Sequence, residues 1–182
     1  MSTPALKEWS AAVHAMLDGR QTVLLRKGGI GEKRFDLTAS EFVFFPTIAH
    51  GHAERVRPEH RDLLDASAPD STEGAVVVRA GAKVVSAVAV ERPEGLDSIA
   101  DQHIWTAESV RADRLDFRPR HRLTVLVVAV RALVAPVSLT RTPDYAGCTS
   151  WVDLPFEPEW GDPVVDDAVL AAVAERVRSS VG

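Results

Sequence analysis

One cysteine, Cys148, stands among 182 residues, and a lone thiol excludes any internal disulfide. A fold built without that crosslink suits a reducing compartment, so the cytoplasm is the expected location. Lysine is also scarce, because only Lys7, Lys27, Lys33 and Lys83 stand among the 21 cations. A restriction-type nuclease core needs carboxylates for Mg²⁺ and a lysine two residues after one of them, since metal and ammonium jointly stabilise charge developing on phosphate. The positions two before each lysine hold Ala5, Leu25, Gly31 and Gly81, so the chain has no (D/E)-x-K step. If the protein acts in a cleavage system, a nuclease partner would do the cutting. No run approaches the roughly 18 apolar residues that span a bilayer, and Met1 to Glu8 is short and polar. No membrane association is expected. Neither G-x-G-x-x-G nor G-x-x-x-x-G-K-[ST] occurs, which removes the usual nucleotide-binding signatures.

What remains is ample for a core. With 46% apolar residues, the length suits one domain over 1–182, its core in 4–155 and a C-terminal helical appendage over 162–180. The net charge is −5 but unevenly distributed. Residues 20–61 carry eight Arg/Lys against five acids, and residues 111–122 carry five arginines against Asp113 and Asp116. From Arg141 onward three arginines face eight acids. A shared location for the two basic stretches would give the molecule one positive face.

Periodicity and breakers outline the elements. Thr3-Pro4 opens an expected helix over 4–18, on which Leu6, Trp9, Val13 and Met16 recur at helical spacing until Asp18-Gly19. Gln21 to Arg26 and Glu41 to Thr47 read as strands that pair with each other, and Pro58 to Ala66 as a helix. Val76–Val78, the turn 79–82 and Val84–Val90 read as a hairpin. Ile104, Trp105 and Val110 fit a helix within 96–114, and 113–122 a charged connection. Leu123 to Val134 is a valine-rich strand ended by Pro136, Gly147 to Leu154 a further strand. Asp162-Pro163 opens a last helix whose Val169, Val173 and Val177 share a face. The sum is an α+β domain with a mostly antiparallel, barrel-like sheet, an N-terminal helix, one or two inserted helices and a C-terminal helix.

Several groups could carry binding. In Arg26-Lys27-Gly28-Gly29 two cations precede a glycine pair whose backbone N–H groups can turn outward toward an anion, although the same pair also serves a plain reversal. Arg114, Arg118, Arg120 and Arg122 extend a phosphate footprint or pair with Asp113 and Asp116. Trp105 and Trp151 offer faces for stacking on a base or lie in the core. Thr47 brings a hydroxyl to a strand end. His50, His52 and His60 lack the fixed spacing of a zinc motif, so neither metal nor cofactor is expected. Cys148 reads as a small buried thiol beside Trp151.

Three strings resemble one bacterial family, domain of unknown function family 1802. They are Leu24-Leu25-Arg26-Lys27-Gly28-Gly29-Ile30, Phe45-Pro46-Thr47 with His50, and Tyr145-Ala146-Gly147-Cys148-Thr149-Ser150-Trp151-Val152. Trp105, Arg114, Pro119 and Arg131 follow in the same order, and the resemblance covers residues 5–155. It departs at Ala39 and at Ile48-Ala49, where the family favours a histidine and an aromatic-acidic pair. Some relatives stand beside restriction-endonuclease-type domains, which implies a restriction or defence context. A weaker resemblance is to ASCH and PUA-like domains, whose G-x-K-x-x-E-x-R motif is met by Gly19 and Arg26 and missed by Gln21 and Leu24. That implies binding of RNA, DNA or a modified base without catalysis. The expected function is therefore nucleic-acid binding, with an interaction module docking through the acidic C-terminal helix as the alternative and a metal- or phosphate-dependent enzyme last.

Overall fold

The computed structural model describes residues 1–27 and 35–182. Gly28, Gly29 and the rest of their turn lie outside the described residues. Seven strands form one sheet in the order β2, β5, β4, β3, β1, β6, with β7 added along β5. All pairs are antiparallel except β1 (Thr3–Trp9) with β3 (Glu41–Thr47), which run parallel in the register Lys7 to Phe45 and Trp9 to Thr47. The fold is thus α+β with a mostly antiparallel sheet whose pairing path is open.

The chain enters as a strand, where a helix over 4–18 was expected. Residues 3–9 are gripped on both sides, by β3 and by β6 (Trp151–Leu154), and this pairing overrides their helical spacing. Pro4 is tolerated because the ladder with β3 begins only at Ala5. Helix α1 is left with Ser10–Leu17, and Ser10 Oγ donates to the carbonyl of Thr47. β2 (Val23–Lys27) pairs with β5, not with β3 as expected.

The expected hairpin over 76–90 is instead one strand, β4 (Ala75–Ala89), running against β5 (Leu123–Thr140) along almost its whole length. Gly81 does not turn the chain. It lets strands pass closely, since a Cβ there would lie 2.3 Å from the Phe42 carbonyl and 2.4 Å from the Trp160 ring. β5 likewise runs through Pro136, because the register jumps from Val78 opposite Val137 to Ala80 opposite Ala132. The proline sits in that bulge, where no ladder donor is needed. Beyond it, residues 75–78 and 137–140 form a two-stranded arm.

Helices α2 (His52–Arg55) and α3 (Asp62–Ser67) follow β3. Between β4 and β5 lie a 3₁₀ segment (Pro93–Gln102), the short helix α4 (Ala107–Val110) and a π turn (Arg111–Asp116), while Ile104 and Trp105 lie outside any helix, Trp105 in a bridge to Val56. Asp162-Pro163 belongs to β7 (Trp160–Pro163), and α5 starts later, over Asp167–Val181. Its inward stripe is Leu170, Val173, Ala174, Val177 and Val181, whereas Val169 is half exposed. That stripe packs on Ile99, Val125 and Val127 of the chain's own core. A second cluster joins Leu6, Met16, Phe42, Phe44 and Leu126, and a third joins Ala5, Val43, Phe45, Val76, Tyr145 and Leu154. The described residues include no helix long and apolar enough to cross a membrane.

Candidate functional site

The two basic stretches do adjoin. Lys27 Nζ donates to the carbonyls of Arg114, at 2.6 Å, and Phe117, and Arg114 Nε donates to the Leu25 carbonyl at 3.1 Å. Both cations therefore fasten the π turn to β2. Burial lowers the pKa of each below its ordinary value; for Arg114, the Glu8 carboxylate opposes the fall and the Arg26 charge adds to it. Arg26 faces Glu8 at 3.3 Å, with side chains 15% and 6% exposed, and also donates to the Lys7 carbonyl. The other described cations of 20–61 are similarly engaged. Arg20 holds Asp62 with both terminal nitrogens, Arg55 pairs with Asp113 at 2.7 Å, and Arg57 caps the carbonyls of Ala100, His103 and Trp105.

A narrow cleft with room for little more than a water molecule is lined by Trp9, Trp105, Arg55, Asp113 and Arg114. Trp105 is no open platform, because its ring meets Trp9 edge-on at 4.9 Å and His52 at 6.2 Å and is 5% exposed. His52 is itself buried, and desolvation followed by the Arg55 charge takes its pKa down to about 4. Trp151 is also tied down, against Phe42 and Phe35, with its indole N–H on the Asp36 carbonyl. Arg118 lies over the exposed Phe117 ring, Arg120 is exposed, and Arg122 reaches Glu91 at 3.2 Å in an exposed pair. His50 is exposed beside the carbonyl that Arg55 holds. Cys148 is exposed, contrary to the expectation of a buried thiol.

A larger opening lies on the same sheet face, past the Trp9 and Thr47 register pair. It is a groove of about 1030 Å³, open to solvent, with Phe45 at its floor. Two of the strings that carry the family resemblance border it, one through Phe45 and Thr47, the other through Tyr145, Ala146 and Gly147. Above the floor stand Lys7, with Nζ 6.0 Å from the Phe45 ring centre, and Arg141, with Cζ at 5.6 Å. β1 brings the first by pairing Lys7 with Phe45, and the arm of β4 and β5 brings the second from its tip. Lys7 donates to the Gly147 carbonyl at 3.0 Å; Arg141 donates to the Thr72 carbonyl and to Ser71 Oγ. Among the described residues neither cation forms an ion pair with a carboxylate. Burial lowers the Lys7 pKa, with Cys148 opposing and Arg141 adding to the fall. No group of three or more His, Cys, Asp or Glu side chains converges as a metal site among the described residues.

Lys7 and Arg141 were not singled out by sequence. The available signal was position: Arg141 stands four residues before Tyr145, and Lys7 lies in the strand that brings both strings together.

The pattern of the family described as a domain of unknown function, DUF1802, matches residues 5–176. The chain belongs to that family. No curated protein matches it. Two solved structures are similar, both of ASCH from Zymomonas mobilis. The first has a TM-score of 0.41 at 13% identity, covering 69% of this chain and 65% of that one. The second, a serine-to-alanine variant, has a TM-score of 0.38 at 14% identity, covering 69% and 66%. The chain thus spans just under two thirds of the length of each.

Proposed function

We propose that this DUF1802 chain binds nucleic acid through the groove over Phe45. The observation that carries the reading is that Lys7 and Arg141 both lie over the Phe45 ring, neither in an ion pair with a carboxylate among the described residues. Two like charges held together at a half-dry floor repel each other, and an anion between them relieves that repulsion. Phosphate oxygens of RNA or DNA meet the need, with Arg141 offering a fork and Lys7 a point charge. The chain supplies binding only. In a restriction context cleavage would fall to a partner, consistent with the missing (D/E)-x-K step.

Fluorescence anisotropy with single- and double-stranded oligonucleotides tests this. Binding is expected at low salt and to weaken as salt rises, because neutralised phosphates release condensed counterions. Lys7→Gln and Arg141→Gln should each raise Kd about tenfold, whereas Arg122→Gln, in the exposed pair with Glu91, should leave it nearly unchanged. Absence of binding at low salt, or equal affinity in all four proteins, would overturn the reading.

A further inference from the structure

We infer that the groove recognises a terminal phosphate monoester, the charged end of a strand or of a nucleotide, in preference to the phosphodiesters within a strand. This deepens the nucleic-acid reading and rests on it for the source of the phosphate. The first ground is charge. A phosphate monoester carries nearly two negative charges at neutral pH and three terminal oxygens, whereas an internal phosphodiester carries one charge. Lys7 and Arg141 supply two positive charges to one groove, each within 6.0 Å of the Phe45 ring centre.

The second ground is the donor count. An ammonium has three N–H groups and a guanidinium five. The Gly147 carbonyl takes one from Lys7, and the Thr72 carbonyl and Ser71 hydroxyl take one each from Arg141. Among the described residues two donors on Lys7 and three on Arg141 stay available, on side chains already held by those bonds and by Phe45, so little rotamer freedom is lost on binding. The third ground is what lines the rest of the groove. Apart from the two cations and Glu73 the described lining is neutral, and the single carboxylate opposes a second phosphate in the same groove.

Eight-nucleotide RNAs with a 5′-phosphate, with a 3′-phosphate or with hydroxyls at both ends, together with a nucleoside monophosphate, provide the test. At least one phosphorylated RNA should bind about tenfold tighter than the hydroxyl-ended one, and Arg141→Gln or Lys7→Gln should erase the difference. The preference should shrink between about pH 7.5 and 5, as the monoester gains a proton with pKa near 6. The salt slope should be about −1.4, as for two phosphate charges on a single strand. If the mononucleotide binds as tightly as the phosphorylated RNA, the free nucleotide is the source; if the RNA is tighter, the strand end is. Equal affinity for phosphorylated and hydroxyl-ended RNA overturns this inference and leaves nucleic-acid binding standing. Mononucleotide binding without any RNA binding does the reverse, and no binding at all removes both. Melting temperatures check that each variant is folded, and Arg141→Lys, which keeps the charge, should retain part of the preference.

Discussion

Lys27 Nζ lies 2.6 Å from the carbonyl of Arg114 and also donates to the carbonyl of Phe117, closing a strap between β2 and the π turn. A residue that reads in the sequence as a phosphate contact thus stabilises a backbone segment.

Replacing Lys27 by Met keeps the aliphatic stem and removes both donors. Hydrogen bonds from a charged group contribute more than neutral ones, so a loss of about 1–2 kcal/mol is expected at this partly wet position. Urea midpoints measure it, and hydrogen exchange should speed up at residues 114–121 while β4 and β5 stay protected. An unchanged midpoint with unchanged exchange would show that the strap carries no load.

Glu8 and Arg26 form a largely buried ion pair. Removing one partner strands the other, so Glu8→Gln and Arg26→Met should each destabilise by about 3 kcal/mol. The double variant should lose much less than the two combined. Additive losses in a double-mutant cycle would deny the coupling.

His52 and His103 both have pKa values lowered from 6.5 to about 4, first by burial and then by Arg55 and Arg57 respectively. His103 Nδ1 also accepts the Trp105 backbone N–H at 3.1 Å, a bond that protonation destroys. Because the folded state holds the neutral forms, the unfolded chain binds more protons between those two values. Stability is then fully present above pH 6.5 and lost as pH falls toward 4, by about 2 kcal/mol per histidine at pH 5. Urea unfolding at pH 7, 6 and 5 should show the decline, reduced in His52→Phe. A flat profile would contradict neutral burial.

Gly81→Ala places a methyl against the Phe42 carbonyl and the Trp160 ring. The ring can move but the backbone cannot, so a loss of about 2 kcal/mol or more is expected. Calorimetry reads it directly, and an unshifted melting temperature would mean that β3 and β4 are not so closely apposed.

The legible parts of the sequence were those whose pattern is set locally. Glu41–Thr47 is recovered to the residue because aromatics and Val43 fill a strand flanked by polar connections. The start of β5 follows from its valines. The errors lie where partners decide. Residues 3–9 have helical spacing yet become a central strand between β3 and β6, and Gly81 has turn chemistry yet serves close packing. The site follows the same division. Charge marked residues 26–27 and 111–122 as two basic stretches without saying whether they meet, nor that backbone carbonyls and Glu8 would occupy Arg26, Lys27 and Arg114. The groove was hidden because Lys7 sits in the segment expected to be helical and Arg141 follows four residues of β5 after Pro136, where the strand was expected to have ended.

On the arm formed by residues 75–78 and 137–140, the outer edge of 137–140 has no strand partner among the described residues, and that of 75–78 carries only the antiparallel bridge from Ser71 to Val76. Bare edges of this kind recruit strands from other molecules and seed aggregates. Pro136 and the bulge beside it interrupt the rim that a foreign strand would follow, so the irregularity that hid the end of β5 from sequence reading also shortens that exposed edge.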